Sequence, residues 1–552
     1  MAPVYDLRPV RLPRLAGIAF RSFVNLLESR LLGSLLAGKT FAEMGVPRFR
    51  SLEVSEAPTF RPIWPHDGAP APLDGAPPTL PPLPALPPRQ PGAVPGFRAA
   101  TASDYVEAYR AGRVTPDEVA DRALAAIAKS DEATPPLRAF VSVHPDEVRA
   151  LSRASTERWR RGEPFGELDG VPVAVKDELD LAGHATTVGT RFLGGAPKPE
   201  DATAVARWRA AGALILGKTN MHEIGIGVTG FNRSYGTARN PHAPGHYTGG
   251  SSSGSAAAVA SGLCPLAMGA DAGGSIRVPS AFCGLVGLKP TYARVSARGT
   301  AHLAWSVDHY GPIASSTRDV ALGYALMAGP DPNDRSTFAQ PSPTLQGLEE
   351  SRLEGLSLGV FRPWFEDADE EVVRICRAHL DRLADERGLR IVEIEIPELG
   401  AAQIAHLVLV AGEMSAAMET EYRMNRRSFG LDVRANLALA RDFTTRDYVK
   451  AQRVRTRAME SLRRVFEKVD AVVTPATGVA APAIRPDALP DGESDLTMLL
   501  SIMRFVFLAN LTGHPAVAFP AGSTKAGLPV GLQAIGRPWE EHVLLRLARS
   551  SE

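Results

Sequence analysis

The sequence predicts an α/β protein built on a large mixed sheet with helices on both faces. Short apolar runs of strand length recur, among them "VPVAVKD" (171–177), "LVGLKPT" (285–291) and "DAVVTPAT" (470–477). Between them lie segments whose apolar residues return at helical spacing. The two patterns alternate, as they do when helices cover a sheet.

Composition agrees. Of 552 residues, 44% are hydrophobic and 22% charged, enough to bury a sizeable core. Lysine plus arginine equals aspartate plus glutamate, 61 each, so no basic excess points to nucleic acid. Cys264, Cys283 and Cys376 are too few and too scattered for a disulfide frame or a zinc site, and they fit a reducing compartment. No run reaches the roughly 18 uncharged apolar residues of a spanning helix. The N-terminus lacks the pattern of a signal peptide. A cytoplasmic protein without metal or cofactor is expected, with a small molecule as its partner.

Two regions are expected. Residues 1–97 form an N-terminal extension and residues 98–552 the main domain. Over 13–39, Phe20, Phe23, Val24, Leu27, Leu31 and Leu35 recur at helical spacing, which predicts one amphipathic helix. It either packs on its own domain or a sister protomer, or lies on a membrane surface. The Pro-rich stretch 58–97 must be extended chain, a linker or a strapped arm. Helices follow from Thr101, the second opened by "TPDE" as cap and first-position proline. Residues 331–465 are more helical and more charged. The arginines of "TRDYVKAQRVRTRAMESLRRVFEKVD" read as a solvated face.

The most linker-like composition lies mid-chain, in "YTGGSSSGSAAAVASG" (247–262) and "GADAGGSIRVPSAFCGLVGLKPT" (269–291). Glycine suits places where backbones crowd together. Two glycines directly before Ser275 make a nest of amides, those of Ala272, Gly273, Gly274 and Ser275, suited to an oxyanion. A serine nucleophile needs a base. No GxSxG elbow surrounds Ser275, and His242, His246, His302 and His309 have no evident carboxylate partner. Lys176, ending the Val/Ala strand, is the better candidate, because burial would favour its neutral amine.

These residues resemble the amidase signature. "GGSSSGSAAAVASG" followed by "DAGGSIRVPSAFCGLVGLKPT" carries the resemblance, and "VPVAVKDELD" is similar to that family's lysine strand. Lys176, Ser251 and Ser275 lie 75 and 24 residues apart, as in the family. "NRSYGTARNPHAPGHYTGGSSSGSAA" and "IMRFVFLANLTGHPA" resemble the plant type of fatty acid amide hydrolase within it.

The resemblance implies an amidase-signature fold and a Ser–cisSer–Lys triad. Ser275 attacks, Ser251 relays the proton, and Lys176 receives it. Ser251 would follow a cis bond after Gly250. Ser252 is expected to support Lys176 or the loop backbone. Arg277 is expected to anchor the nucleophile loop through backbone carbonyls or Asp271. Asp177 would point away from Lys176, and neither it nor Glu178 receives a role.

The likeness also implies an acyl amide substrate, of fatty acid amide or N-acylethanolamine type. Met221, Trp305, Met414, Met418, Met503 and Phe507 are candidate pocket residues, since methionine and aromatic side chains suit a flexible acyl chain. An aryl-acylamidase or urethane (carbamate) hydrolase is the alternative enzyme. A component of a tRNA amidotransferase is the alternative of another class. A homodimer and peripheral membrane contact are further expectations.

Overall fold

A computed structural model describes residues 5–10, 12–29, 31–66, 68–72 and 100–552. Most of the Pro-rich stretch, 73–97, lies outside the described residues.

Eleven strands form one sheet. In chain order they are β1 Phe140–Ser142, β2 Pro172–Lys176, β3 Leu214–Thr219, β4 Leu266–Asp271, β5 Val286–Lys289, β6 His309–Ala314, β7 Ser357–Val360, β8 Arg390–Glu393, β9 Ala471–Pro475, β10 Ala516–Ser523 and β11 Pro529–Gly536. Across the sheet they run β8-β7-β9-β11-β10-β5-β6-β4-β2-β3-β1. Pairs β2/β4 and β2/β3 are parallel, while β4/β6 and β9/β11 are antiparallel. The sheet is mixed, as expected.

Alternation along each strand feeds two cores. Val173 and Val175 of β2 face one cluster with Trp208, whereas Ala174 faces another with Ile127 and Ala257. On β9, Ala471 and Val473 join the first cluster and Val472 joins a third. Helices therefore cover both faces. The "TPDE" start holds: Thr115 caps the helix Pro116–Glu132 in a reciprocal pair with Glu118.

The N-terminal expectation needs correction. Residues 13–39 form two helices, Gly17–Leu27 and Gly33–Met44. Between them Glu28 is tied to the main domain by Arg434 Nη2 (2.6 Å) and Tyr422 Oη (2.7 Å). Gly33 passes so close that a Cβ there would lie 2.4 Å from the Leu27 carbonyl oxygen. Phe20, Val24 and Leu27 pack on Leu431, Ala435 and Ala438. Leu31 and Leu35 face outward at 93% and 61% exposure, so the apolar face is split between core and surface.

The first part of the extended chain is strapped down. Arg455 Nη1 holds the Thr59 and Phe60 carbonyls, and Arg453 Nε holds that of Glu56. Arg457 pairs with the Glu56 carboxylate at 2.7 Å. Those arginines, read as a solvated face, are fasteners, and Arg455 is buried outright.

The helix Leu399–Ala417 is long and apolar enough to cross a membrane by length and composition. It carries buried His406 and Glu413, and Glu413 accepts bonds from Ser306 N and Tyr448 Oη. It packs against the helix Thr445–Val465 as a core element.

Candidate active site

β2 and β4 lie side by side in parallel register, Val175 opposite Met268. Lys176 ends the one strand and Asp271 the other. Carboxyl ends of adjacent parallel strands are where α/β sheets place their sites. The buried Lys176 Nζ donates to Ser251 Oγ at 2.8 Å and to the Ala270 carbonyl at 3.3 Å.

The Gly250–Ser251 peptide is cis. Gly250 admits no side chain, since a Cβ would lie 2.6 Å from the Gly230 nitrogen. Ser252 supports the loop backbone rather than Lys176: its Oγ donates to the Ala270 carbonyl at 3.1 Å. Its amide donates to the Ser275 carbonyl at 3.3 Å, which joins the two serine segments. Ser275 is 4% exposed, and among the described residues no hydrogen bond links its Oγ to Ser251 Oγ. Catalytic bonds are often loose before substrate arrives.

Asp271 and Arg277 form the clamp beneath the loop. Arg277 Nε and Nη2 each reach the carboxylate at 3.0 Å, and Nη1 reaches Val506 O at 3.0 Å and Gln533 Oε1 at 2.6 Å. Nη2 also donates to Asn510 Oδ1. Burial pushes the Asp271 carboxyl up, but Arg277, Lys289 and the Gly274 amide outweigh it and hold it well below the usual carboxylate range. Bidentate geometry of this kind is what stabilises a buried pair. The Gly274 amide donates to Asp271 Oδ1 at 2.6 Å, so it is engaged there and leaves the expected oxyanion donor set. Ala272, Gly273 and Ser275 remain in it.

Sequence reasoning missed Glu178. Its Oε2 lies 2.8 Å from Lys176 Nζ. β2 ends at Lys176, and the turn that follows, closed by Leu179 N on the Lys176 carbonyl at 3.0 Å, brings the Glu178 carboxylate back to the amine, so strand alternation gave no signal for it. Asp308 is close enough to act on the pair electrostatically. Burial first, then the Glu178 charge, push its carboxyl well above the usual range. Asp177 does point away, accepting from Gly189 N at 3.0 Å and facing Lys218 Nζ at 3.2 Å.

A cavity of about 2070 Å³ opens beside this centre. Met503 and Phe507 line it, with Val228, His406, Phe41 and Phe49. Lys176, Ser251 and Ser275 are not on its wall; it ends one layer away, at His406 and Met503, which abut Gly273. The remaining pocket candidates are corrected. Trp305 and Met418 line a separate small pocket, and Met221 and Met414 are buried in the core. Apolar character fixed their burial but not which wall they face.

Outside the cleft, His144, Glu147 and His184 bring ligand-type atoms within 4.8 Å of one another. The two imidazoles stack nearly parallel at 3.8 Å, and His184 is already engaged by Ser142 Oγ and Glu147. This is a hydrogen-bonded stack that runs from exposed His144 to buried His184.

Comparison with known proteins places the chain. The amidase family model matches residues 122–545. A fatty acid amide hydrolase of Medicago truncatula is 40% identical over 99% of this chain and 94% of its own length. A glutamyl-tRNA(Gln) amidotransferase component of Chloroflexus aggregans is 35% identical over 81% of this chain and 94% of its own. The crystal structure of a bacterial aryl acylamidase of the amidase signature family superposes with a TM-score of 0.74. It is 25% identical and covers 82% of this chain and 96% of that one. With the α/β sheet described above, these findings define an amide-hydrolysing enzyme. The chain belongs to the amidase signature family.

Proposed function

We propose that the enzyme cleaves long-chain acyl amides, of fatty acid amide or N-acylethanolamine type, through an acyl-enzyme on Ser275. In this reading Ser275 Oγ attacks the carbonyl carbon and passes its proton to Ser251 Oγ, which passes its own to Lys176. A hydroxyl donates and accepts at once, so Ser251 can relay without holding net charge. Lys176 returns the proton through the serines to the leaving nitrogen, and water then repeats the sequence on the ester. Glu178 partners the lysine while it carries the proton. Amides of Ala272, Gly273 and Ser275 stabilise the tetrahedral oxyanion.

The observation that supports the substrate class is the cavity. At about 2070 Å³ it exceeds the few hundred to 1,000 Å³ usual for small ligands, and apolar side chains line the part nearest Gly273. An acyl chain lies there while its carbonyl passes His406 and Met503 to reach Ser275. A series of acyl amides of rising chain length, with an ester and a carbamate as controls, tests the proposal. kcat/KM should climb with chain length. A maximum at short or aryl acyl groups would favour the aryl-acylamidase or carbamate reading instead.

The exposed side chains Ile18, Leu26, Leu31, Leu32 and Leu35, on the two N-terminal helices and the turn between them, support docking on a lipid surface from the cytoplasm. Replacing Leu31 and Leu35 with serine should reduce binding to anionic liposomes and leave hydrolysis of a soluble amide unchanged. Unaltered liposome binding with loss of a dimer on sedimentation would assign the patch to a second copy of the chain.

A further inference from the structure

His406 lies outside every motif that marked the site, yet it touches the nucleophile loop. Its Nε2 is 2.8 Å from the Ala272 carbonyl oxygen. The side chain is buried, 3% exposed, on the long core helix Leu399–Ala417. Burial pushes its pKa down to about 4, against the pull of the Ala272 bond and with help from the charges of Arg277 and Arg455. The ring is therefore neutral near pH 7 and carries one proton. A carbonyl can only accept, so that proton is on Nε2 and Nδ1 is bare. The edge of the ring also meets the loop: a Cβ on Gly273 would sit 2.8 Å from His406 Cε1 and 3.2 Å from its Nε2. The first glycine of the pair is thus the space that lets the imidazole approach.

We propose that His406 is a positioning residue for the oxyanion site, fixing the Ala272–Gly273 peptide plane through its bond to the Ala272 carbonyl. The peptide unit is planar, and its C=O and N–H point in opposite directions. Holding the carbonyl against His406 fixes where the Gly273 amide points. It also keeps the carbonyl oxygen from swinging to where negative charge develops, a rotation that would replace a donor with a repelling dipole. The Gly274 amide is already engaged by Asp271, so the Gly273 plane is the one in this pair still in need of a fastener. The inference rests on the Ser275 reading above.

Two variants test it. His406→Gln keeps a donor near the Nε2 position, and His406→Leu keeps bulk without a donor. With a long-chain acyl p-nitroanilide, His406→Leu should lower kcat about 10- to 100-fold, since losing one oxyanion donor costs about 100- to 1,000-fold. KM should stay within about twofold, because leucine keeps a side chain of similar bulk on the cavity wall. Inactivation by an alkyl fluorophosphonate should slow by a similar factor, while affinity for the inert fatty alcohol of matching length should not change. His406→Gln should recover most of the loss.

An unchanged kcat in His406→Leu, a loss confined to KM, or a glutamine variant no better than leucine would overturn the proposal. Should the leucine variant fail to fold, His406→Met serves as the donor-free control. Ser275→Ala and Lys176→Ala belong in the same assay. If they stay active, the underlying mechanism is wrong. If they are inactive and His406→Leu is normal, only the role of His406 falls.

Discussion

The catalytic centre and the cavity beside it are built by opposite rules. The centre is polar, glycine-rich and crowded. Lys176, Ser251, Asp271 and Arg277 are buried, and each is satisfied by named partners at hydrogen-bond distance. The cavity wall draws on distant segments: Phe41, Val228 and Phe507 belong to its apolar part, and charged side chains such as Glu398 and Arg464 line other parts. Chemistry requires the first arrangement, because proton relay fails when atoms move by an ångström. Chain binding tolerates the second, since apolar contact is non-directional. Substitutions should therefore be all-or-none in the centre and graded in the wall.

The largest effect should come from Lys176→Ala, which removes the proposed base. Acylation measured by stopped-flow should drop by orders of magnitude in protein that is still folded by circular dichroism, with a lowered melting temperature because the buried Glu178 carboxylate loses its cation. Near-normal acylation would erase the contrast between centre and wall.

Next is Arg277→Met, which strands the Asp271 carboxylate without its cation. Leaving one member of a buried pair unpaired costs about 3–5 kcal/mol. Urea denaturation should register that loss; a change below about 1 kcal/mol would mean the clamp is dispensable.

Acid should act on the same kind of group. Burial alone would raise the Glu541 carboxyl, but Arg294 and Thr291 hold it down at about 2, against 4.5 when free. Its folded pKa is lowered, so its contribution is complete above about 4.5 and is lost as pH falls toward 2. The shift corresponds to a loss on the order of 3 kcal/mol. Burial holds His514 neutral down to about 3. The unfolded chain binds that proton first, so stability also declines as pH drops from 6.5. Asp319 has the opposite sign: burial raises it to about 7, so its cost grows as pH rises from 3.8 through 7. Denaturation at pH 6.5, 4.5 and 3 should show a steep net loss below 4.5. A flat profile would contradict the two buried groups together.

The smallest effect should come from the wall. Met503→Trp should cut kcat/KM for long acyl chains about tenfold and spare short ones, in line with the few kcal/mol that apolar pockets can discriminate. An equal loss on all chain lengths would place Met503 in the catalytic centre instead.

The same contrast explains what the sequence disclosed. The position of Lys176 at the end of its strand and the Asp271–Arg277 pair were legible from residue types at fixed spacing, whereas the cis bond before Ser251 came only with the resemblance to the amidase signature. β2, β5 and β9 were legible as apolar runs. Glu178 was hidden, because the turn after β2 brings it back to the lysine and strand alternation does not describe a turn. His406 was not legible either, because it lies 131 residues beyond Ser275 on an ordinary apolar helix and only the tertiary fold brings it back. Pocket residues failed for a related reason. Met221 and Met503 have the same chemistry, and only packing decides that one fills the core and the other lines the cavity. The arginines of 453–457 looked solvated because their partners, the carbonyls of 56–60, lie almost 400 residues earlier.

Arg277 finds its remaining acceptors only at residues 506, 510 and 533. The strand Leu15–Ala16, in turn, pairs with Glu493–Ser494. A growing polypeptide on the ribosome therefore has its serines exposed long before their cradle exists. The hydrolase should stay silent until its last acceptor strand emerges, which spares the cell an unselective nucleophile during translation.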